Sequence, residues 1–464
     1  MKIEKIKTVL LIFLVGLSIF LTSQLWFQPF EISTSEQDDS IYSDEIFLWD
    51  KIKPEKIVVV SDKEYTSYKE EQSNKLWNEF IPIFSKILGD NNSSINEIEQ
   101  YNKTEGLELH FSNPIPSEIF IRGLEIPNSD FYESIKFIKK FHIPLNKNSI
   151  IIDNGNEKTY EFSTNIDLNK SNMINLYQET LESLDFMFNA EINGTNIEAP
   201  IPLNEKIMNP VIVKSEINIE DDEYITNIAK TYYDENYDYV RKSVENNSSV
   251  NYVYKNEKVL KVNNDGLLEF YNTAENTITE NDVYSSLLVA LNFTENFLGF
   301  PENAYLSKVE NIQENGNFGY KFIFDYKILD RPIIFSQVRN ERAVEIEVVG
   351  NEVVLYKRFI RVIDYSEPSI MEEKEAVNPL DIIKSNIDLM AIILIEEDRT
   401  ELQDEELIEK NILESIEEIY LGYYDPSRKL NEQLIRSVWV VKAGDSRYIF
   451  NALTGNLVEI QTIE

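Results

Sequence analysis

An uncharged apolar run over residues 9–27, VLLIFLVGLSIFLTSQLWF, constrains this chain more than any other feature; it follows directly on Lys2, Lys5 and Lys7. As a helix it spans roughly 28 Å at 1.5 Å per residue, close to a hydrocarbon core of about 30 Å. Trp26 stands at its far end, where an indole favours the membrane interface, and the basic flank favours the cytoplasm. The expectation is a cytoplasmic tail over 1–8, a transmembrane helix over 9–27 and a polar, acidic stalk over 28–44. Everything beyond the stalk is then extracytoplasmic. A cleaved signal peptide is the alternative. It calls for a shorter apolar region and an A-x-A-like site, which Thr22-Ser23-Gln24-Leu25-Trp26 does not supply.

Leu11, Val15, Ser18, Thr22 and Leu25 fall on one face of such a helix. Ser18 and Thr22 form a small-xxx-small pair that permits close approach of a second helix and a weak hydrogen bond. This is the candidate partner-binding face. Small residues are also common in membrane helices that only anchor.

The chain has 464 residues, with 44 Lys+Arg against 81 Asp+Glu and a net charge of -37. Residues 1–28 hold three Lys and one acid, so the remainder is more acidic still. Such a body repels phosphate backbones and excludes nucleic acid as a partner. No cysteine is present, which removes disulfides, thiolate metal sites and cysteine nucleophiles.

The pattern predicts an α+β protein: one transmembrane helix, then three extracytoplasmic mixed α/β domains with antiparallel sheets. The first domain covers 45–205, with strands at 56–60, 107–111, 118–122 and 149–153. Its helices are expected at 68–88, 131–141 and 171–188, and Asn113-Pro114-Ile115-Pro116 is expected to turn the chain. Pro200, Pro202 and Pro210 mark a boundary. The second domain, 206–370, has helices at 223–244 and 283–298 and strands paired around Asn263-Asn264-Asp265-Gly266. Four alternating segments between 305 and 349, and a fifth at 353–363, read as an antiparallel sheet with one wet face. The third domain, 371–464, opens on a capping box at Thr400-Glu401-Leu402-Gln403 and ends in strands at 416–424, 437–442, 447–451 and 457–460. The last two domains share a pattern of helix, aromatic strand, polar turn and strand, which suggests a repeat.

Motifs for chemistry are missing. His110 and His142 are the two histidines, and neither has metal-ligand spacing. There is no G-x-S-x-G, S-x-x-K, Walker A or dinucleotide motif. Acidic runs such as Glu220-Asp221-Asp222-Glu223, Glu372-Glu373 and Asp404-Glu405-Glu406 are what 81 acids produce by chance, and a glycosidase needs two carboxylates in contrasting environments. The reading is a protein without catalytic, cofactor or metal sites. Trp49, Trp77 and Trp439 serve either as core packing or as lining of a sugar groove.

Three blocks resemble one known family. The opening KIEKIKTVLLIFLVGLSIFLTSQLWFQP, the block LELHFSNPIPSEIF at 107–120 and the ending at 419–460 are similar to the YycH family. The resemblance implies a non-enzymatic regulator of the WalK (YycG) sensor histidine kinase, which governs cell-wall metabolism in low-GC Gram-positive bacteria. It implies a second, shorter single-pass partner of YycI type, and contact made largely through membrane helices. In the best-known setting such proteins restrain the kinase. The family carries no catalytic motif, so no functional residues transfer. A homodimer is compatible with this reading. The alternative is an extracytoplasmic module that binds a ligand or a cell-wall polymer.

Overall fold

The computed structural model describes residues 48–61, 65–67, 70–90, 92–99, 104–126, 131, 134–156, 158–181, 186–187, 190–197, 199–203, 205–273, 282–314, 317–338, 342–366, 371–398, 405–426 and 433–463. The expected transmembrane helix, the stalk, the capping box at 400–403, and the candidate residues Leu11, Val15, Ser18, Thr22 and Leu25 lie outside the described residues. Among the described residues no helix is long and apolar enough to cross a membrane. The architecture is mixed α/β, built on three large sheets.

The first sheet has seven antiparallel strands in the order 65–67, 56–60, 106–116, 137–144, 149–153, 159–163, 94–98. Alternation sorts its two faces. Leu107, Leu109 and Phe111 are buried on one side, and the helix Glu70–Leu88 covers that side with Trp77, Phe80 and Phe84. Their rings meet Phe141 and Phe120, with Phe84 and Phe141 centroids 4.8 Å apart. Trp49 joins the cluster on Phe120 at 5.8 Å, and its carbonyl accepts the Trp77 indole N–H at 2.9 Å.

Three expectations fail in this layer. Asn113-Pro114-Ile115-Pro116 does not turn the chain: the strand Gly106–Pro116 runs through it with a register shift between His110 and Ile115. The segment expected as a strand at 118–122 is the helix Ser117–Gly123. Ile119, Phe120 and Ile121 are all buried, which one face of a strand cannot achieve. The segment 131–141 is not one helix, because the strand Phe137–Pro144 takes over its second half and pairs with Gly106–Pro116.

The middle sheet has eight antiparallel strands in the order 241–244, 250–254, 258–262, 268–272, 352–358, 344–349, 317–325, 305–314. Helices Asp222–Tyr233 and Val283–Phe297 cover one face, packing Tyr232, Phe293 and Phe297 on Phe270 and Tyr356. The Asp221 side chain caps the first helix by accepting from Tyr224 N–H at 3.0 Å. That helix ends at Tyr233, well short of 244, because Asp234 takes a left-handed φ of 47°. The second helix closes as expected on Gly299, at φ 69°, whose N–H bonds to the Thr294 carbonyl at 2.8 Å.

The third sheet draws on distant parts of the chain. Its order is 327–328, 331–335, 416–425, 433–443, 211–215, 361–363, with 446–451 and 457–462 continuing from the far end of 433–443. The segment expected beside 344–349 in the middle sheet, Arg331–Phe335, pairs instead in parallel with Ile416–Asp425. Val211–Ser215 pairs with Gln433–Ala443 and with Arg361–Ile363. Helices Pro379–Asp398 and Glu405–Ser415 cover one face, where Ile383, Met390 and Ile412 meet Leu421, Trp439 and Phe450. The first of these helices was not expected. Its signal is Asn378 followed by Pro379 at the first helical position.

Candidate functional site at the polar seam

The back of the first sheet is charged. Register places Lys56, His110, Lys140 and Asp153 in one cross-strand row, with Glu108 opposite His142 in the next. This parity follows from the front face: once Leu107, Leu109 and Phe111 point to the helix, Glu108 and His110 must point away.

Groups from the third sheet meet the back of the first. Glu418, on Ile416–Asp425, pairs with Lys56. Burial favours the neutral acid, but the Lys56 charge and hydrogen bond outweigh it and hold the carboxyl at about 2, with His110 and Lys139 contributing. Burial likewise opposes the Lys56 charge, yet Glu418 and Glu55 hold its ammonium above the usual range. His110 Nε2 lies 2.8 Å from Glu108 Oε2. Burial dominates there and pushes the imidazole down to about 4.

The bulged stretch of Gly106–Pro116 reaches the middle sheet. Asn113 donates to the Ser307 carbonyl at 2.9 Å; separately, Lys327 of the third sheet donates to the Glu55 carbonyl. Ser112 donates to Glu55 at 2.9 Å, while Lys139 holds the Phe111 and Ser112 carbonyls at 2.7 and 2.5 Å. Lys139 is held below the usual range, chiefly by burial. Pro114, which lacks an N–H, falls inside the register shift between His110 and Ile115, where the ladder to 137–144 is interrupted. Arg122 adds a rim contact, an ion pair to Asp282 with its guanidinium 4.9 Å over the Tyr284 ring.

A second seam, between the middle and third sheets, is built differently. The run Arg358-Phe359-Ile360-Arg361 crosses from one sheet to the other, and all four residues are buried. Arg358 grips Glu216 through two bonds of 2.6 and 2.7 Å and donates to the Gly299 carbonyl at 2.7 Å. Arg361 Nε donates to Asp425 at 2.7 Å with both side chains fully buried. Gln433 donates to the other Asp425 oxygen at 2.5 Å, and the Phe359 ring lies 4.7 Å from the Arg361 guanidinium.

His110 and His142 both belong to the polar seam, as partners of Glu108. Asp221 is a helix cap, Asp222 pairs with Lys242, and Glu373 lies 3.7 Å from Lys206. Trp49, Trp77 and Trp439 are core residues and line no groove. Among the described residues no cluster of three or more His, Asp or Glu is placed to hold a metal ion. Sequence reasoning missed Lys56, Glu418, Arg358, Arg361 and Asp425. The arginine pair had a readable signal, since charges flanking Phe-Ile between strands must find acids when buried. Lys56 and Glu418, 362 residues apart, had none.

Residues 4–170 match the family described as YycH protein, N-terminal domain. The matched region takes in both the apolar run at 9–27 and the block at 107–120. The crystal structure of YycH from Bacillus subtilis is similar at a TM-score of 0.53 and 13% identity, covering 86% of this chain and 95% of that one. An uncharacterized protein from Eubacterium rectale gives 0.36 at 14% identity over 60% and 94% of the two chains. The YpeB C-terminal domain of Bacillus megaterium gives 0.29 at 11% over 53% and 98%. These last two scores are too low to bear on the fold. No curated protein sequence matches the chain. An N-terminal domain of YycH type leading a multi-sheet α/β body defines the class. Residues 4–170 match an N-terminal domain of YycH type, and the chain shares its fold with the YycH structure from Bacillus subtilis.

Proposed function

We propose that this chain is a membrane-anchored extracytoplasmic regulator that binds a WalK/YycG-type sensor histidine kinase and restrains it, acting with a YycI-like single-pass partner. The observation that carries this reading is the YycH N-terminal domain match over 4–170, which includes the apolar run. The absence of catalytic motifs in the sequence agrees with a non-enzymatic role. In this reading residues 9–27 anchor the chain, and the face of Leu11, Val15, Ser18, Thr22 and Leu25 contacts the partner helices. The domains at 45–205, 206–370 and 371–464 form the outer part.

Exchanging residues 9–27 for an unrelated membrane helix tests it. Co-purification of the kinase from membranes is expected to be lost, and output from a kinase-dependent promoter is expected to rise. Unchanged association would sink the helix contact, and lowered output would reverse the sign.

A further inference from the structure

The middle sheet has one face under helices and one without. Phe270, Tyr356, Ile346 and Phe322 are almost completely buried on the helix side. On the other side Tyr271 is 39% exposed, and Leu355, Lys261, Glu269, Lys357 and Glu345 remain half-exposed. Register orders this outer face into two rows that cross all eight strands. One runs from Arg241 through Tyr271 and Leu355 to Glu310, and the other from Ser243 through Lys261, Glu269, Lys357 and Glu345 to Lys308.

We propose that this face is a docking surface for a second copy of the chain, related by a two-fold axis parallel to the strands. Such an axis lays each row on itself in reverse order. Counted from the two ends, Tyr271 then meets Leu355 of the other copy, Arg241 meets Glu310, Lys261 meets Glu345, and Glu269 meets Lys357. An apolar pair is thus ringed by three pairs of opposite charge, each formed twice. Val253 falls opposite Lys321, whose aliphatic stem can cover it, and Ser243 falls opposite Lys308; the mismatches are Val259 opposite Glu347 and Asn251 opposite Ile323, which is already buried.

Net charge points the same way. Two copies of a chain at -37 repel each other over most of their surface. The two rows instead hold five cations and four carboxylates, already tied within the sheet by Lys321, which lies 3.1 Å from Glu345 and 3.0 Å from Glu347. An acidic copy can approach here without a large electrostatic penalty. Eight strands at about 4.8 Å spacing and five residues of length give roughly 600 Å² in projection. A standard stable interface buries about 800 Å² on each side, so the expected dimer is weak.

The test is charge reversal and its rescue, with the full chain in mild detergent and association followed by sedimentation velocity. Wild type is expected to dimerise at tens of micromolar. Lys261→Glu places two acids face to face and is expected to weaken association about tenfold or more, and Lys261→Glu with Glu345→Lys is expected to restore it. Leu355→Asp, at a surface position, is expected to weaken it without the rescue. A wild type that stays monomeric overturns the proposal. So does a dimer indifferent to Lys261→Glu, which would place the contact elsewhere, the membrane helix included. Because the natural chain has no cysteine, mixing Tyr271→Cys with Leu355→Cys chains gives a second readout. Disulfide-linked dimers are expected from that mixture well above the level from either variant alone, and equal yields overturn the two-fold.

Discussion

The two seams solve one problem with different chemistry. Where the middle and third sheets meet, Arg361 and Asp425 are fully buried, and strands 211–215 and 331–335 are woven into the neighbouring sheet. Where the first sheet meets the rest, Lys56 and Glu418 keep about 30% of their side-chain surface in water, and the other contacts are scattered polar ones. Breaking a buried ion pair leaves an uncompensated charge in low dielectric, whereas breaking a wet one leaves two solvated ions. The first arrangement favours a rigid unit. The second can be loosened by protons or salt.

The sharpest way to break this contrast is to truncate one partner on each side. Asp425→Ala strands the Arg361 guanidinium and is expected to cost about 3–5 kcal/mol in chemical denaturation. Glu418→Ala is expected to cost roughly 1 kcal/mol. Equal losses would erase the distinction between the seams.

Acid sharpens the contrast next. The His110 imidazole sits at about 4 in the folded protein, below the ordinary value near 6.5, so the unfolded chain binds more protons between those values. Its contribution is present above the ordinary value and fades as pH falls through that window. Lowering pH from 7 to 5 is expected to remove about 2 kcal/mol, read as a lower Tm, and His110→Gln is expected to reduce that loss. Glu418, at about 2, works in the same direction but at lower pH: its stabilisation is lost as pH falls from the usual carboxylate range towards 2. A His110→Gln protein as acid-sensitive as wild type would remove the histidine from the account. The smallest effect is that of salt. Raising ionic strength is expected to cancel the Glu418→Ala penalty by a few tenths of a kcal/mol and to leave that of Asp425→Ala unchanged.

Local signals carried much of the fold. Asn263-Asn264-Asp265-Gly266 forms the turn its composition suggests, with Gly266 at φ 85°, and Gly299 ends its helix. Strands 56–60 and 149–153 appear within the residues their β-branched composition marks out. Failures cluster where tertiary pairing overrides local pattern. Arg331–Phe335 alternates like its neighbours, but its hydrogen bonds go to a strand some 90 residues later. The helix at 117–123 reads as a strand because Ile119 and Ile121 alternate around Phe120, and only burial on three sides distinguishes the two. The polar seam was illegible for the same reason. Nothing near Lys56 in sequence announces Glu418.

One consequence concerns the order in which the chain is made. Val211–Ser215 has its strand partner in 433–443, over 200 residues downstream. A growing chain can complete the first sheet from its first 170 residues, and the middle sheet once residue 358 is out. The third sheet must wait until the last thirty or so residues arrive. Until then the strand at 211–215 has an unfilled edge, a template that any extended segment could occupy. The interval between residue 215 and residue 433 is therefore when this protein most needs protection from its neighbours.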